Sequence, residues 1–299
     1  MHILLVILAS CKKLEQLEFV DSLDIAISAA KCCQIITAIS HSPPSDKKRI
    51  SLHATGIDAL DHAAAAQILE LCGVSHNSKI HRTYAALRMQ LDNGKWHLFF
   101  EDSNEEIYKD HMHWASGTAS PGSLRLSHLP ASSPKLLWVH GLHTLVVRPK
   151  RNETISTEEW RSFFYSHPTI TFLDFQGSNP TNFLSTFAVI NPLSIGTNHS
   201  PQDKYDAAVV LPSLRKLVFR GTSVSEVEGD WRDVDLKALV DILRRRIGDI
   251  LINEIYFLTM EGFTGSMFNY LDDFTARSGG QTTIRWDENP SSWSGNRDR

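Results

Sequence analysis

The amino-acid sequence predicts an α/β fold in which short parallel strands alternate with helices. Residues 211–257 indicate an apolar strand, a helix with one apolar face and a second apolar strand. Such a strand–helix–strand unit cannot bury its apolar faces alone, so it needs neighbouring copies of itself. The spacing of apolar residues in its first strand does recur elsewhere in the chain, which is the second observation behind the prediction.

The recurring spacing has the form L-x-x-L-x-Φ, where Φ is an apolar residue. Three stretches carry it: residues 14–19, 142–147 and 214–219. This signature is typical of leucine-rich repeats, in which strands stack in parallel on one side and helices on the other. We therefore expect a degenerate leucine-rich-repeat solenoid over residues 1–288, with strands on its concave side and helices on its convex side. A polar tail over residues 289–299 follows it.

The first part of the array contains two strand–helix units. A strand over residues 14–19 precedes an Ala- and Ile-rich helix over residues 23–39. A strand over residues 49–53 precedes a second helix, which Asp58 can cap and which Gly73 ends in the position where a positive φ angle is needed. We expect the chain to begin inside a repeat, which would fit an array truncated at its N-terminus.

Residues 84–100 depart from the repeat pattern. Apolar residues alternate with polar ones on both sides of Asn93-Gly94, a dipeptide that readily adopts the positive φ angles of a tight turn. This pattern predicts a β-hairpin near residues 85–100, inserted into the array or capping it. Residues 101–122 are polar and irregular and are expected to form a loop.

Strand–helix units resume at about residue 124. The sequence Ser156-Thr-Glu-Glu159 is a capping box that fixes the start of a helix, and Trp160, Phe163 and Phe164 fall on its core face. The remaining expected elements are a strand ending at 147, strands over 169–175, 211–219, 254–257 and 283–286, helices around 183–187, 235–247 and 267–274, and a loop over 191–206.

Composition limits the classes of partner. The formal net charge of −4 gives no global footprint for nucleic acid, and no stretch approaches the length of a membrane span. The four cysteines have no framework spacing, which favours reduced thiols in an intracellular protein. Secretion remains an alternative, because Leu8-Ala9-Ser10-Cys11 resembles a lipoprotein cleavage box, although no basic residue precedes its short apolar run.

The sequence offers no strong marker of catalysis. It contains neither a G-x-S-x-G nucleophile elbow nor a nucleotide-binding glycine motif. His111 and His113, beside Asp110, are better explained as residues of a solvated loop than as metal ligands. The run from Arg244 to Arg246 complements the dipole at a helix C-terminus. We therefore expect no catalytic, cofactor-binding or metal-binding residues.

In a leucine-rich-repeat array, strand residues that point away from the core line the concave face. A broad concave face of mixed polar groups suits a folded protein partner better than a small substrate. The residues expected on that face are Glu15, Glu18, His143, Arg215, Arg220 and Glu254.

The order of these features resembles the leucine-rich-repeat region of F-box proteins from mushroom-forming fungi. The resemblance lies in residues 136–139, 142–145, 170–175, 211–217 and 284–288. It implies a substrate receptor of a ubiquitin ligase, in which an N-terminal F-box docks on the ligase adaptor and the repeats hold the substrate. Residues 1–50 do not contain the Leu-Pro motif and short helices of an F-box, so adaptor binding would need an F-box in a longer form of the chain.

Two alternatives to a ubiquitin-ligase receptor remain open. One is a repeat scaffold, or a truncated relic, that is unrelated to ubiquitination. The other is an α/β hydrolase-like enzyme, which predicts a nucleophile, a base and an orienting acid at the carboxyl ends of the strands.

Overall fold

A computed structural model describes most of the expected strands and helices. The predicted helix over 23–39, the predicted loop over 191–206 and the tail over 289–299 lie outside the described residues, as does the loop over 101–122 except for Glu101. The described residues are 16–20, 49–53, 62–79, 83–101, 124–149, 156–177, 181–187, 210–221, 233–246, 250–258 and 263–287.

The chain divides into two compact units, Met1–Glu153 and Thr154–Arg299. The sequence had suggested one continuous array over residues 1–288. Each unit is a mixed α/β structure in which most neighbouring strands are parallel. No described helix combines the length and the apolar character that crossing a bilayer requires.

The first unit contains six described strands in the order β1-β2-β5-β4-β3-β6. Strand β4 is antiparallel to both of its neighbours, whereas β1 with β2, β2 with β5, and β3 with β6 are parallel pairs. The strands are β1 (Gln16–Val20), β2 (Arg49–His53), β3 (Ala86–Asp92), β4 (Lys95–Glu101), β5 (Leu124–Pro130) and β6 (Thr144–Pro149). The described helices of this unit are α1 (His62–Leu71) and a short 3-10 helix, Ser133–Leu136.

The predicted hairpin is present and consists of β3 and β4. Its turn residues Asn93 and Gly94 have φ angles of 51° and 70°, as a tight two-residue turn requires. Because β3 also pairs with β6 and β4 with β5, both outer edges of the hairpin are hydrogen-bonded. The hairpin is therefore inserted within the sheet of this unit and does not cap it.

The second unit contains four described parallel strands, each paired with the next along the chain. They are β7 (Phe172–Gln176), β8 (Lys216–Arg220), β9 (Glu254–Leu258) and β10 (Thr283–Asp287). Parallel neighbours need a crossover connection, and a helix lies between each strand and the next. The described helices are α2 (Thr157–Ser166), which precedes β7, then α3 (Thr181–Thr186), α4 (Asp233–Arg245) and α5 (Gly265–Arg277).

Helix boundaries follow the predicted signals. The Ser156 hydroxyl accepts a hydrogen bond from the Glu159 amide at 3.2 Å, so Ser156 caps the start of α2 at the predicted position. Gly73 has a φ angle of 80°, and the Val74 amide donates to the Leu69 carbonyl at 3.0 Å to close the end of α1. The predicted cap Asp58 lies outside the described residues.

The apolar signature occupies one repeated structural position. Its three apolar residues are at most 3% exposed in each of the segments that begin at Leu142, Ile170, Leu214 and Ile252. The backbone before the strands also repeats. The Thr171 carbonyl accepts hydrogen bonds from the Arg215 and Lys216 amides, and the Arg215 carbonyl accepts from the Asn253 and Glu254 amides. These contacts fix the strand register that the sequence pattern predicted.

Aromatic rings join the helices of the second unit to its sheet. Phe183 of α3 stacks on Phe175 of β7 with ring centroids 4.4 Å apart. Trp286 of β10 contacts Phe268 of α5 at 5.9 Å. The predicted core residues of α2 are buried, with Trp160 stacked on Phe164 at 5.3 Å. One face of the sheet is therefore an aromatic core against the helices.

Candidate functional site

The other face of the second-unit sheet carries the residues that alternate with this core. Successive side chains of a strand point to opposite faces, so one face bears the buried signature residues and the other bears a mixed set. We call this mixed set the strand face. Its described residues are Phe172, Asp174, Gln176, Lys216, Val218, Arg220, Glu254, Tyr256, Leu258, Thr283 and Arg285.

The centre of the strand face is apolar. Phe172, Val218, Tyr256 and Leu258 form a cluster in which no residue is more than 8% exposed. Adjacent strands in parallel register bring Val218 directly beside Tyr256. Charged side chains lie around this cluster, which gives the strand face an apolar centre and a polar border.

Tyr256 organises the charged groups at one end of the strand face. The Lys216 ammonium lies over its ring, 4.3 Å from the centroid, and the Arg285 guanidinium lies 5.5 Å from the same centroid. Both distances fall within the range of cation–π attraction. The Tyr256 hydroxyl donates to Glu254 Oε2 at 3.0 Å, and Lys216 Nζ is 3.2 Å from that oxygen. We call these four residues the Tyr256 cluster.

Glu254 is held in its ionised form by this cluster. The hydrogen bond from the Tyr256 hydroxyl is the largest cause that lowers its carboxyl pKa below the usual value, and Lys216 lowers it further against the opposing effect of partial burial. The Glu254 carboxylate therefore carries its full charge at neutral pH, and the Tyr256 cluster contains two cations and one anion.

A second charged group lies on β7 and β8. Arg220 Nε donates to Asp174 Oδ2 at 2.7 Å, and Gln176 Nε2 donates to the same oxygen at 3.4 Å. The Asp174 side chain is fully buried, whereas Arg220 is about one-quarter exposed. A buried carboxylate needs such a partner because charge is costly to remove from water. Arg220 therefore neutralises Asp174 and fixes its orientation.

Two of the six predicted face residues, Arg220 and Glu254, lie on the strand face. Arg215 lies just before β8 and donates to the carbonyls of Pro212, Leu214 and Leu251 at 3.2–3.4 Å, so it holds the backbone around the strand entrance. His143 is exposed in the first unit and precedes β6. Glu15 lies outside the described residues, and Glu18 lies in β1 with a side chain that is not described.

Sequence reasoning missed Lys216, Tyr256 and Arg285. Each occupies the first or third position of its strand, in alternation with the buried signature residues. That alternation was the available signal, since it places the first, third and fifth strand residues on one face.

The arginine run beyond α4 divides into two kinds of residue. Arg244 and Arg245 are exposed in the last turn, where positive charge complements the helix dipole as predicted. Arg246 follows the helix and is 3% exposed, and its guanidinium donates to the carbonyls of Val210, Leu211 and Ile250. Burial is the main cause that lowers its pKa to about 10, so it stays charged at neutral pH.

The described residues contain no cluster of three or more His, Cys, Asp or Glu side chains that could hold a metal ion. Asp110, His111 and His113 lie outside the part of the chain that is described. At the carboxyl ends of β7, β8 and β9 the strand-face residues are Gln176, Arg220 and Leu258, and the segments that follow these strands lie largely outside the described residues.

No protein-family model, curated protein or solved structure matches the chain. Function is therefore inferred from the strand face and from the sequence.

Replacing Tyr256 with phenylalanine is expected to raise the pKa of Glu254 towards its usual value, because the hydrogen bond that lowers it most is lost. Folding favours the ionised carboxylate, so the stabilisation by Glu254 is present above the unfolded-state pKa and is lost as pH falls through the folded-state pKa. Carbon-13 NMR titration of the Glu254 carboxyl measures the shift. Tyr270→Phe, at an exposed position of α5, is the control. An unchanged Glu254 titration in Tyr256→Phe would contradict the assigned contact.

Proposed function

We propose that this chain is a non-catalytic leucine-rich-repeat scaffold that binds a folded protein through its strand face. The observation that carries the proposal is the composition of that face: the partly exposed side chains of Lys216 and Glu254 and the exposed Arg285 lie around a buried apolar centre that contains Tyr256. Charged groups of this kind form the polar rim of protein interfaces, and arginine is enriched among the residues that contribute most binding energy. Lys216 and Glu254 keep 35% and 39% of their side-chain surface exposed, so a partner can reach them.

The leucine-rich-repeat assignment is supported by the repeated burial of the apolar signature. Buried residues at the same three positions precede and occupy β6, β7, β8 and β9. In the second unit, one described helix lies between each strand and the next. In the proposed solenoid, strands stack along the concave side and leave their non-core face open to a partner.

The process that the scaffold serves is proposed from the family resemblance. The stretches similar to fungal F-box proteins include the residues around Leu214 and Ile284, which lie beside or within the paired strands β8 and β10. If the resemblance extends to function, the strand face would hold a ubiquitination substrate. The alternative is a repeat scaffold, or a relic, without a link to ubiquitination. The identities of co-purifying proteins separate the two.

The proposal is tested by affinity purification of the tagged chain from its native cells, followed by mass spectrometry. Thr283 is exposed on β10 within the strand face, and Asn269 is exposed on α5. We expect Thr283→Trp to reduce recovery of the specific partner by at least about tenfold, because the indole blocks the face, whereas Asn269→Trp leaves recovery unchanged.

Recovery of ligase adaptor and cullin would support a substrate receptor. Recovery of other proteins that Thr283→Trp releases would support a scaffold with another role. Equal recovery with both tryptophan variants, or no specific partner in repeated trials, would overturn binding through the strand face.

A further inference from the structure

We infer that the partner segment bound at the Tyr256 cluster is acidic and places one carboxylate against Lys216 and Arg285. This inference rests on the proposed function, since it names the chemistry of the partner at the same face. It is carried by three observations: an arginine that forms no ion pair with a described carboxylate, an excess of positive charge among the described residues, and a ring that holds both cations in place.

Arg285 differs in its ion pairing from three other arginines of the second unit. Arg220 is paired with Asp174, Arg244 with Asp241 and Arg277 with Asp273. Arg285 is exposed on β10 and contacts the Tyr256 ring, and it forms no ion pair with a described carboxylate. Its charge still helps to lower the pKa of the nearby Glu254 carboxyl. A guanidinium that is already oriented and forms no ion pair with a described carboxylate can bind one, because its fork of N–H donors matches the two oxygens.

The charge balance of the cluster selects the type of anion. Among the described residues, Lys216 and Arg285 face a single carboxylate, that of Glu254, which leaves one positive charge in excess. The whole chain carries a formal net charge of −4, so this excess is local. One aspartate or glutamate of the partner neutralises it. A phosphate monoester carries about −1.5 to −2 at neutral pH and would leave negative charge beside Glu254.

The Tyr256 ring holds the two cations in position before a partner binds. Its ring is 8% exposed and packed in the apolar centre of the strand face, so it is a fixed platform for both cations. Cations held in one geometry before binding lose less conformational entropy when a carboxylate arrives. The strand register also places Arg285 directly beside Tyr256 on β9. The partner carboxylate would therefore lie above the backbone of β9.

Binding of a fluorescein-labelled octaglutamate peptide, followed by fluorescence anisotropy at low salt, tests the inference. Arg285→Glu is compared with Arg277→Glu, an 82% exposed arginine of α5, because both reversals change the net charge equally. We expect Arg285→Glu to weaken binding about five- to tenfold and Arg277→Glu to change it less than about twofold.

A second matched pair removes negative charge. Glu254→Gln frees the Lys216 ammonium for the peptide and is expected to tighten octaglutamate binding about threefold, whereas Asp273→Asn on α5 is expected to have little effect. Equal effects within either matched pair, or no octaglutamate binding to the wild-type chain, would overturn the inference.

The two proposals fail in different ways. If Thr283→Trp releases the cellular partner but octaglutamate does not bind, the strand face is a docking surface and the acidic chemistry is wrong. If octaglutamate binds with the expected Arg285 dependence but no cellular partner is recovered, the carboxylate site stands and the protein-binding function fails.

Discussion

Replacing Leu217 with alanine is expected to lower the free energy of unfolding by about 2–5 kcal/mol. Leu217 lies in β8, is 1% exposed, and stands in register between Leu173 of β7 and Ile255 of β9. Removing its branched side chain leaves a cavity where the sheet meets the helices, and a close-packed core closes such a cavity only in part. Urea unfolding followed by circular dichroism measures the loss.

Lys237→Ala is the control for this experiment, since Lys237 is exposed on α4 and alanine favours helix. The control should unfold within about 0.5 kcal/mol of the wild-type chain. A near-neutral unfolding midpoint for Leu217→Ala would contradict the repeat register, because a strand shifted by one residue would turn Leu217 to the strand face.

Replacing Arg246 with methionine is expected to destabilise the chain by about 2–4 kcal/mol. The guanidinium donates to the carbonyls of Val210 and Leu211 in buried surroundings. Leu211 has a φ angle of 53°, which is unfavourable for leucine, so the bonds also hold a strained backbone. Methionine fills part of the volume but leaves carbonyl groups without these donors.

Arg245→Met is the matched control, because Arg245 is the exposed neighbour of Arg246 and has no role in this contact. Thermal unfolding of both variants is compared with that of Arg246→Lys, which keeps the positive charge but lacks the guanidinium. Arg246→Lys should fall between wild type and methionine, since an ammonium lacks the planar fork that reaches several carbonyls. Equal melting temperatures for Arg245→Met and Arg246→Met would contradict the structural role of Arg246.

Arg246 also makes a contact that could not be predicted from the sequence. Three consecutive arginines at a helix end suggest one shared role, but α4 stops between Arg245 and Arg246, and the chain turns the last arginine inward. Its partner carbonyls at Val210 and Leu211 are about 35 residues away along the chain. No local pattern encodes a contact over that separation.

The hairpin was predictable because its signals are local. Alternating apolar residues and Asn93-Gly94 determine two antiparallel strands within a short stretch of chain. The position of the hairpin within the sheet was not predictable, since the pairings of β4 with β5 and of β3 with β6 join distant segments. Such pairings depend on the packing of the whole unit.

The strand face was predictable in part. Alternation within β8 and β9 places Arg220 and Glu254 on it, as expected, and would also have placed Lys216 and Tyr256 there. Arg215 falls just before the start of β8, and an error of one residue at a strand boundary is enough to change the assigned face. The ring-to-cation contacts of Tyr256 depend on register between strands and have no sequence signature.

Site-specific photo-crosslinking tests most directly whether the strand face binds a protein. Benzoylphenylalanine is introduced at Thr283, on the strand face, or at Asn269, on the exposed side of α5. Cells that express each variant are irradiated, and covalent adducts are identified by mass spectrometry. Binding through the strand face predicts one discrete protein adduct from position 283 and none of that adduct from position 269. The same adduct formed from position 269 alone would show that the partner binds the helical side and would contradict the proposal.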